Sequence, residues 1–175
     1  MEPIRDAVRR SRESLQSLLD EWLGGGKARV ILPTTDPYVA HHGALGSFAT
    51  AYLPDGSDVA AIVKRIAGRP EIELALTREE AAKRFELPAD RIGDIVVVSR
   101  KEFVIGTSGN RHDLSGLDAP LRSHGGVSEQ RVPLYCNRPA PALSADARLR
   151  NFSAFDLALN YAKPAMQADV KRRAV

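Results

Sequence analysis

The sequence predicts an α/β protein in which a small mixed sheet is covered by helices. Short apolar or alternating runs, typical of strands, recur between residues 29 and 106. Segments with apolar residues at helical spacing separate several of these runs. Strands that alternate with helices are typical of a sheet packed against helices.

The composition fits a globular protein and disfavours several other classes. Of 175 residues, 43% are hydrophobic and 27% are charged, which predicts one domain or two small lobes. The net charge is +3, and the lysines and arginines are dispersed, so we expect no nucleic-acid partner. No apolar run approaches the roughly 18 residues of a membrane span, and the charged N-terminus lacks the apolar region of a secretory signal. We therefore expect a cytoplasmic protein with no membrane partner.

The single cysteine, Cys136, excludes an internal disulfide. Because it lies in an apolar run, we expect it to be buried as a small hydrophobic residue.

The first predicted elements are one helix and two strands. The helix extends from about Ile4 to Leu23 and ends at the glycines 24–26. The apolar run Arg29 to Leu32 predicts a short buried strand, and the alternating, aromatic-rich run Gly46 to Leu53 predicts a second one.

The next elements complete the predicted sheet. Ser57 and Asp58 precede a helix whose apolar residues are Val59, Ile62, Val63 and Ile66, so a cap is expected there. The remaining predicted elements are a strand at Ile72 to Leu76, a helix from a Thr77/Glu80 capping box to about Phe85, a buried strand at Ile95 to Val98, and Phe103 to Gly106 pairing back as a hairpin.

The C-terminal part is poorer in regular elements. The composition of residues Thr107 to Gly126 predicts a long loop, which in a compact domain is usually functional or disordered. Val132 to Cys136 predicts a short strand. Leu149 to Ala162 predicts a terminal helix capped near Asn151 or Ser153. These patterns divide the chain into residues 1–28, 29–106 and 107–175.

The candidate site is the stretch around His124-Gly125-Gly126. Two glycines after a histidine let the backbone approach closely and let the imidazole project. From the residues alone, either a metal ligand or an ordinary surface turn before a strand fits this pattern.

Three runs resemble phosphonoacetate hydrolases, which belong to the alkaline phosphatase superfamily. They are Asp113 to Pro139, which contains His124, Lys27 to Pro54, and Phe85 to Ser99. The resemblance covers nearly the whole chain after about residue 17. It implies that residues 29–106 form a cap-like lobe and residues 107–175 the C-terminal edge of an alkaline-phosphatase-like core.

The resemblance also implies a chemistry, namely cleavage of the carbon–phosphorus bond of phosphonoacetate to acetate and phosphate with two zinc ions. His124 corresponds to the last histidine ligand of the family. The family's Asp-His pair, its Asp-x-x-x-His motif and its threonine nucleophile have no counterpart in this sequence. A zinc site needs three or four protein ligands, so we expect partial zinc binding at most, no catalytic residue in this chain, and a truncated C-terminal portion of the enzyme.

Other side chains are weaker candidates, and each has a plain structural alternative. His41 and His42 either contact the substrate's anionic groups or belong to a polar loop. Arg122 either pairs with a phosphonate or carboxylate or is a solvated loop arginine. Glu129 is a candidate for the hydrogen bond that orients His124. His112 and Asp113 have no firm role.

Three functions follow. The chain is a member of the phosphonoacetate hydrolase family, a catalytically inactive fragment or partner-binding domain, or another phosphodiesterase-type member of the superfamily. The expected small-molecule partner is phosphonoacetate or a related phosphonate. A strand at Val132 to Cys136 without neighbours predicts homo-oligomerisation or association with a missing N-terminal part.

Overall fold

A computed structural model describes residues 14–33, 46–101, 103–106, 124–137, 143–144 and 146–161. The chain divides into two compact units, residues 1–131 and 132–175. In the first unit the elements are α1 (Leu15–Leu23), β1 (Arg29–Ile31), β2 (Phe48–Tyr52), α2 (Val59–Ala67), β3 (Ile72–Thr77), α3 (Arg78–Phe85), a 3₁₀ turn (Ala89–Arg91), β4 (Ile95–Ser99) and a second 3₁₀ turn (Val127–Glu129). The second unit contains α4 (Ser153–Asp156), which continues as a π-helical segment (Leu157–Tyr161).

The four strands form one sheet in the order β1-β2-β4-β3. β2 pairs with β1 so that Val30 lies opposite Ala51, and β4 pairs with both β2 and β3. Val97 is the centre of this arrangement, since it lies opposite Ala49 on one side and Ala75 on the other. β4 is therefore the inner strand that joins the two halves of the sheet.

The prediction of α/β structure is confirmed, but the sheet is not mixed. Every neighbouring pair of strands is antiparallel. β2 and β3 run in the same direction, as expected for two strands joined by a helix. They do not touch, because β4 lies between them and pairs antiparallel with each.

The core lies on both faces of the sheet because successive side chains of a strand point to opposite faces. Ile95 and Val97 pack with Leu19 of α1 and Ile66 of α2. Val96 belongs to a second cluster, with Ala81 of α3 and Ile92. A strand buried on both faces needs a continuous apolar sequence, and this accounts for the run Ile95–Val98.

The ends of the helices follow the predicted chemistry. The Asp58 carboxylate accepts from the Ala61 N–H at 3.0 Å and caps α2. The Thr77 hydroxyl accepts from the Glu80 N–H at 3.3 Å, and the Glu80 carboxylate accepts from the Thr77 N–H at 2.9 Å. The predicted capping box is confirmed, and α3 ends at Phe85 as expected.

α1 is attached to the outer edge of β1 through Gln16. Its amide nitrogen donates to the Ala28 carbonyl at 2.9 Å, and its amide oxygen accepts from the Val30 N–H at 2.9 Å. The side chain thus takes the place of a neighbouring strand, which protects an otherwise open sheet edge.

One predicted pairing and one predicted strand are wrong. Phe103–Gly106 does not form a hairpin with β4; instead Ile105 makes an isolated antiparallel bridge with Gly46. Val132–Cys136 has no regular secondary structure, and its side chains are exposed. Cys136 is accordingly exposed and not buried as predicted. An apolar run forms a strand only where another strand supplies hydrogen-bonding partners, and the described residues supply none here.

The terminal helix is shorter than predicted over the described residues. It begins at Ser153 after the N-cap residue Phe152, which makes no side-chain cap. The Ser153 hydroxyl accepts from the Arg150 N–H at 3.0 Å. Among the described residues, no helix combines the length and the apolar character that crossing a membrane requires.

Candidate functional site

His124 lies in a turn that is attached to the sheet through the main chain. Its carbonyl oxygen accepts a hydrogen bond from the Ser47 N–H at 3.0 Å. The Ser47 carbonyl in turn accepts from the Ser99 N–H at 2.8 Å, at the end of β4. The residue as a whole is exposed. The sheet therefore fixes the backbone of His124 while its side chain is accessible from solvent.

The two glycines after His124 have different roles. Gly125 adopts φ +97°, in the left-handed region that favours glycine. Gly126 is buried, and a Cβ atom there would lie 3.5 Å from the Ser47 Cβ, which is an ordinary contact. The left-handed turn at Gly125 is thus the feature that requires glycine.

Glu129 closes the same turn. Its Oε2 atom accepts from the Gly126 N–H at 3.0 Å, across the 3₁₀ turn Val127–Glu129. The carboxylate thereby stabilises the backbone that follows His124. A direct contact between Glu129 and the imidazole stays a prediction.

A neighbouring segment is anchored at the same end of the sheet. The Ser99 hydroxyl donates to the Phe103 carbonyl at 2.8 Å, and the Ile105 N–H donates to the Gly46 carbonyl at 2.7 Å. Gly46 and Ser47 therefore hold both the segment after β4 and the His124 turn. Sequence reasoning missed the role of Ser47; the only signal was its position near the start of a predicted strand.

The other predicted site residues lie outside the described part of the chain. These are His41, His42 and Arg122; His112 and Asp113, for which no role was predicted, also lie outside it. Their proximity to His124 therefore stays a prediction. The nearest described neighbours of the histidine pair in sequence are Gly46 and Ser47, and Ser47 contacts the His124 backbone directly.

The described residues do not form a metal site by themselves. Within residues 14–33, 46–101, 103–106, 124–137, 143–144 and 146–161, no three His, Cys, Asp or Glu side chains are grouped so that they could hold a metal ion. Zinc requires three or four protein ligands. A single exposed imidazole does not meet that requirement, so the donor set does not fit a complete zinc site.

A small cavity in the first unit is too small to be a substrate site. Its volume is about 30 Å³, and Leu18, Ile66 and Ile105 contribute to its lining. That volume accommodates a water molecule, whereas ligand sites are typically about 300–1,000 Å³.

Comparison with solved structures gives strong similarity to one enzyme. The phosphonoacetate hydrolase of Sinorhizobium meliloti 1021, solved in complex with phosphonoacetate, matches with 60% sequence identity over 86% of this chain and a TM-score of 0.72. The same enzyme in complex with phosphonoformate matches equally well.

A curated protein supports the same relationship over a short stretch. The phosphonoacetate hydrolase of Penicillium oxalicum is 63% identical over 30 residues, which is 17% of this chain and 42% of that protein. No family model matches the chain.

The similarity covers only part of the relatives. This chain spans 36% of the length of the solved Sinorhizobium meliloti enzyme. Within that part, 60% identity and a common fold confirm the resemblance inferred from the sequence. The chain is thus similar to phosphonoacetate hydrolases, and it spans 36% of the Sinorhizobium meliloti enzyme.

Proposed function

We propose that the chain contributes to hydrolysis of the carbon–phosphorus bond of phosphonoacetate, or of a related small phosphonate, as part of a zinc-dependent phosphonoacetate hydrolase. The observation that carries this proposal is the 60% identity, over 86% of the chain, to an enzyme solved with phosphonoacetate bound. The bound phosphonoformate in the second structure supports a small phosphonate as the ligand class.

In this proposal His124 is one zinc ligand. Neutral imidazole is a common zinc ligand and binds through one ring nitrogen. The hydrogen bond that fixes His124 involves its main-chain carbonyl. This arrangement positions the residue without engaging the imidazole.

Four further residues complete the proposed role of the chain. Glu129 would orient the His124 ring with the carboxylate oxygen that does not accept from Gly126. Arg122 would pair with an anionic group of the substrate through its planar guanidinium. His41 and His42 would contact the same anionic groups.

The remaining zinc ligands and the nucleophile lie outside this chain in our proposal. The described residues contain no metal-holding group, and the sequence lacks the Asp-His pair of the family. We also propose that residues 107–175 form the C-terminal edge of an alkaline-phosphatase-like core and that residues 29–106 form a cap-like lobe.

A hybrid enzyme tests this function. Residues 27–161 of this chain would replace the matching part of the Sinorhizobium meliloti hydrolase, and phosphate release from phosphonoacetate would be measured. We expect turnover in the hybrid and a loss of at least about a hundredfold in His124→Ala, since removing a metal ligand removes the site's electrostatic stabilisation. Arg91→Ala, at a side chain that is 80% exposed, is the control and should leave turnover unchanged.

Two outcomes would contradict the proposal. One is a folded hybrid that releases no phosphate. The other is a His124→Ala hybrid that retains full activity and zinc content, which would remove His124 from the site. Hydrolysis of phosphodiesters in place of phosphonoacetate would favour the other superfamily member.

The second candidate function is that of a partner-binding domain without catalysis of its own. The absence of a metal-holding group among the described residues favours it. Phosphate release and zinc content of the hybrid decide between the two, because the isolated chain is expected to show neither in both cases. Stoichiometric zinc with turnover in the isolated chain would exclude the non-catalytic function and would also contradict the proposal that the other ligands lie outside this chain.

A further inference from the structure

The exposed large hydrophobic residues are concentrated in the second unit. Among the described residues, eight large hydrophobic side chains are exposed, and only Tyr52 belongs to the first unit. The most exposed are Tyr135 at 88%, Leu159 at 81% and Phe155 at 75%. Exposed apolar surface of this kind marks an interaction site.

Six of these eight side chains lie on two elements. Val132, Leu134 and Tyr135 belong to the segment after the His124 turn, and we call residues 131–136 the docking segment. Phe152, Phe155 and Leu159 are spaced by three and four residues, so they share one side of the helix that begins at Ser153.

The docking segment has unpaired peptide groups as well as exposed side chains. The Gln130 N–H donates to the Val127 carbonyl just before this segment. Among the described residues, no backbone–backbone hydrogen bond involves residues 131–136. A segment with apolar side chains and free peptide groups can add to the edge of another sheet as an extra strand. Its composition fits that role better than it fits a solvated loop.

The comparison indicates what would cover this surface. The chain matches the solved hydrolase at 60% identity but spans only 36% of its length. The larger part of that fold is therefore outside the matched region. A polypeptide from that larger part is therefore the natural occupant of the apolar surface that is exposed here.

We propose that the docking segment and the exposed side of the 153–161 helix bind the part of the hydrolase fold that this chain does not cover, the docking segment adding as a strand to an open sheet edge. This inference rests on the proposed function, because the occupant is the rest of the same enzyme. The occupant has an apolar surface and free peptide groups, whether it is joined covalently or is a separate polypeptide.

Hydrogen exchange tests this inference in the hybrid enzyme and in the isolated chain. We expect the amides of Val132, Leu134 and Cys136 to exchange at least about tenfold more slowly in the hybrid. Alternate N–H groups of an added strand face its partner, and Pro133, which has no N–H, would lie on the outward side with Tyr135. The amide of Gly56, in an exposed turn of the first unit, should not change. Equal exchange in a folded hybrid would overturn the inference.

Substitution provides an independent readout. Sedimentation would measure binding of the isolated chain to a polypeptide comprising the uncovered part of the Sinorhizobium meliloti enzyme. Tyr135→Ser combined with Phe155→Ser and Leu159→Ser should weaken binding at least about tenfold, whereas Tyr52→Ser, the matched change in the first unit, should not. If that polypeptide does not fold alone, the same variants are compared in the hybrid by exchange of the docking segment.

The outcomes separate the inference from the proposed function. Protection of the docking segment without phosphate release would support the interface and contradict the function. Phosphate release without protection of the docking segment would support the proposed function and contradict the interface. Self-association of the isolated chain that the triple substitution abolishes, with no binding to the hydrolase polypeptide, would identify a second copy as the occupant and overturn the inference.

Discussion

Gly93 is a position where the main chain leaves no room for a side chain. A Cβ atom there would lie 2.6 Å from the Thr50 Oγ1 and closer still to the Ala51 carbonyl oxygen. The Thr50 hydroxyl accepts from the Gly93 N–H at 2.8 Å and donates to the Ile95 carbonyl at 3.2 Å. This close approach brings the entrance of β4 against β2.

Gly93→Ala should therefore destabilise the fold by about 1–3 kcal/mol, because the neighbouring atoms are backbone and a buried hydroxyl that cannot move aside. The free energy of unfolding in urea measures the effect. Gly25→Ala is the matched control, since nothing lies within 4 Å of its Cβ position, and it should change the free energy by less than about 0.5 kcal/mol. Equal midpoints for both variants would contradict the argument.

Single residues of the candidate site were only partly predictable. The His124-Gly125-Gly126 pattern indicated a close-packed turn, and Gly125 does adopt a left-handed conformation. The Glu129 carboxylate accepts a hydrogen bond from the Gly126 N–H. The presence of a glutamate in the sequence does not reveal this contact, because it depends on how the turn folds. Cys136 is exposed, and its run has no strand neighbour among the described residues, which the run itself cannot reveal.

At the scale of elements, the Thr77 cap of α3 is a local contribution to stability. Thr77→Ala should destabilise the fold by about 0.5–2 kcal/mol, since the Glu80 N–H loses its acceptor. Thr77→Ser retains the hydroxyl and should recover most of the loss. Thermal unfolding followed by circular dichroism measures both variants, and an equal loss in Thr77→Ser would show that the hydroxyl is not the cause.

The attachment of α1 to β1 gives a second prediction. Gln16→Ala removes both hydrogen bonds to the edge of β1, leaving the Ala28 carbonyl and the Val30 N–H without their partner. We expect a loss of about 1–3 kcal/mol in urea unfolding and faster hydrogen exchange of the Val30 amide. Gln130→Ala, at an exposed position, is the control. Unchanged exchange at Val30 would show that Gln16 does not protect the edge.

Helices and strands were predicted well where a local sequence pattern determines them. They were predicted poorly where the structure depends on which strands pair with each other. The apolar run Ile95–Val98 and the capping box at Thr77 were correct because burial and capping act within a few residues. The order of strands was not predictable from periodicity, and so the sheet was expected to be mixed. Val132–Cys136 has a strand-like composition without a described strand partner.

At the scale of the whole molecule, the two units should differ in resistance to proteolysis. Among the described residues, every buried hydrophobic side chain except Leu157 lies between Leu15 and Ile105. We expect trypsin to cleave at Arg131, Arg148 or Arg150 before any site between residues 72 and 99, because cleavage requires local opening and opening is easier where little is buried. Mass spectrometry of the early products measures the order. Early cleavage at Arg78 or Arg84 would contradict it.

The position of β4 has a consequence for synthesis of the chain. β3 has only β4 as a sheet neighbour, and β4 is made last. On the ribosome, β1 and β2 can pair as soon as they emerge. The backbone N–H and C=O groups of β3 have no strand partner when β3 leaves the exit tunnel, because β4 follows it in the chain. Until Ser99 has emerged, the nascent polypeptide therefore presents an incomplete sheet to chaperones, and a translational pause before that point would prolong this vulnerable state.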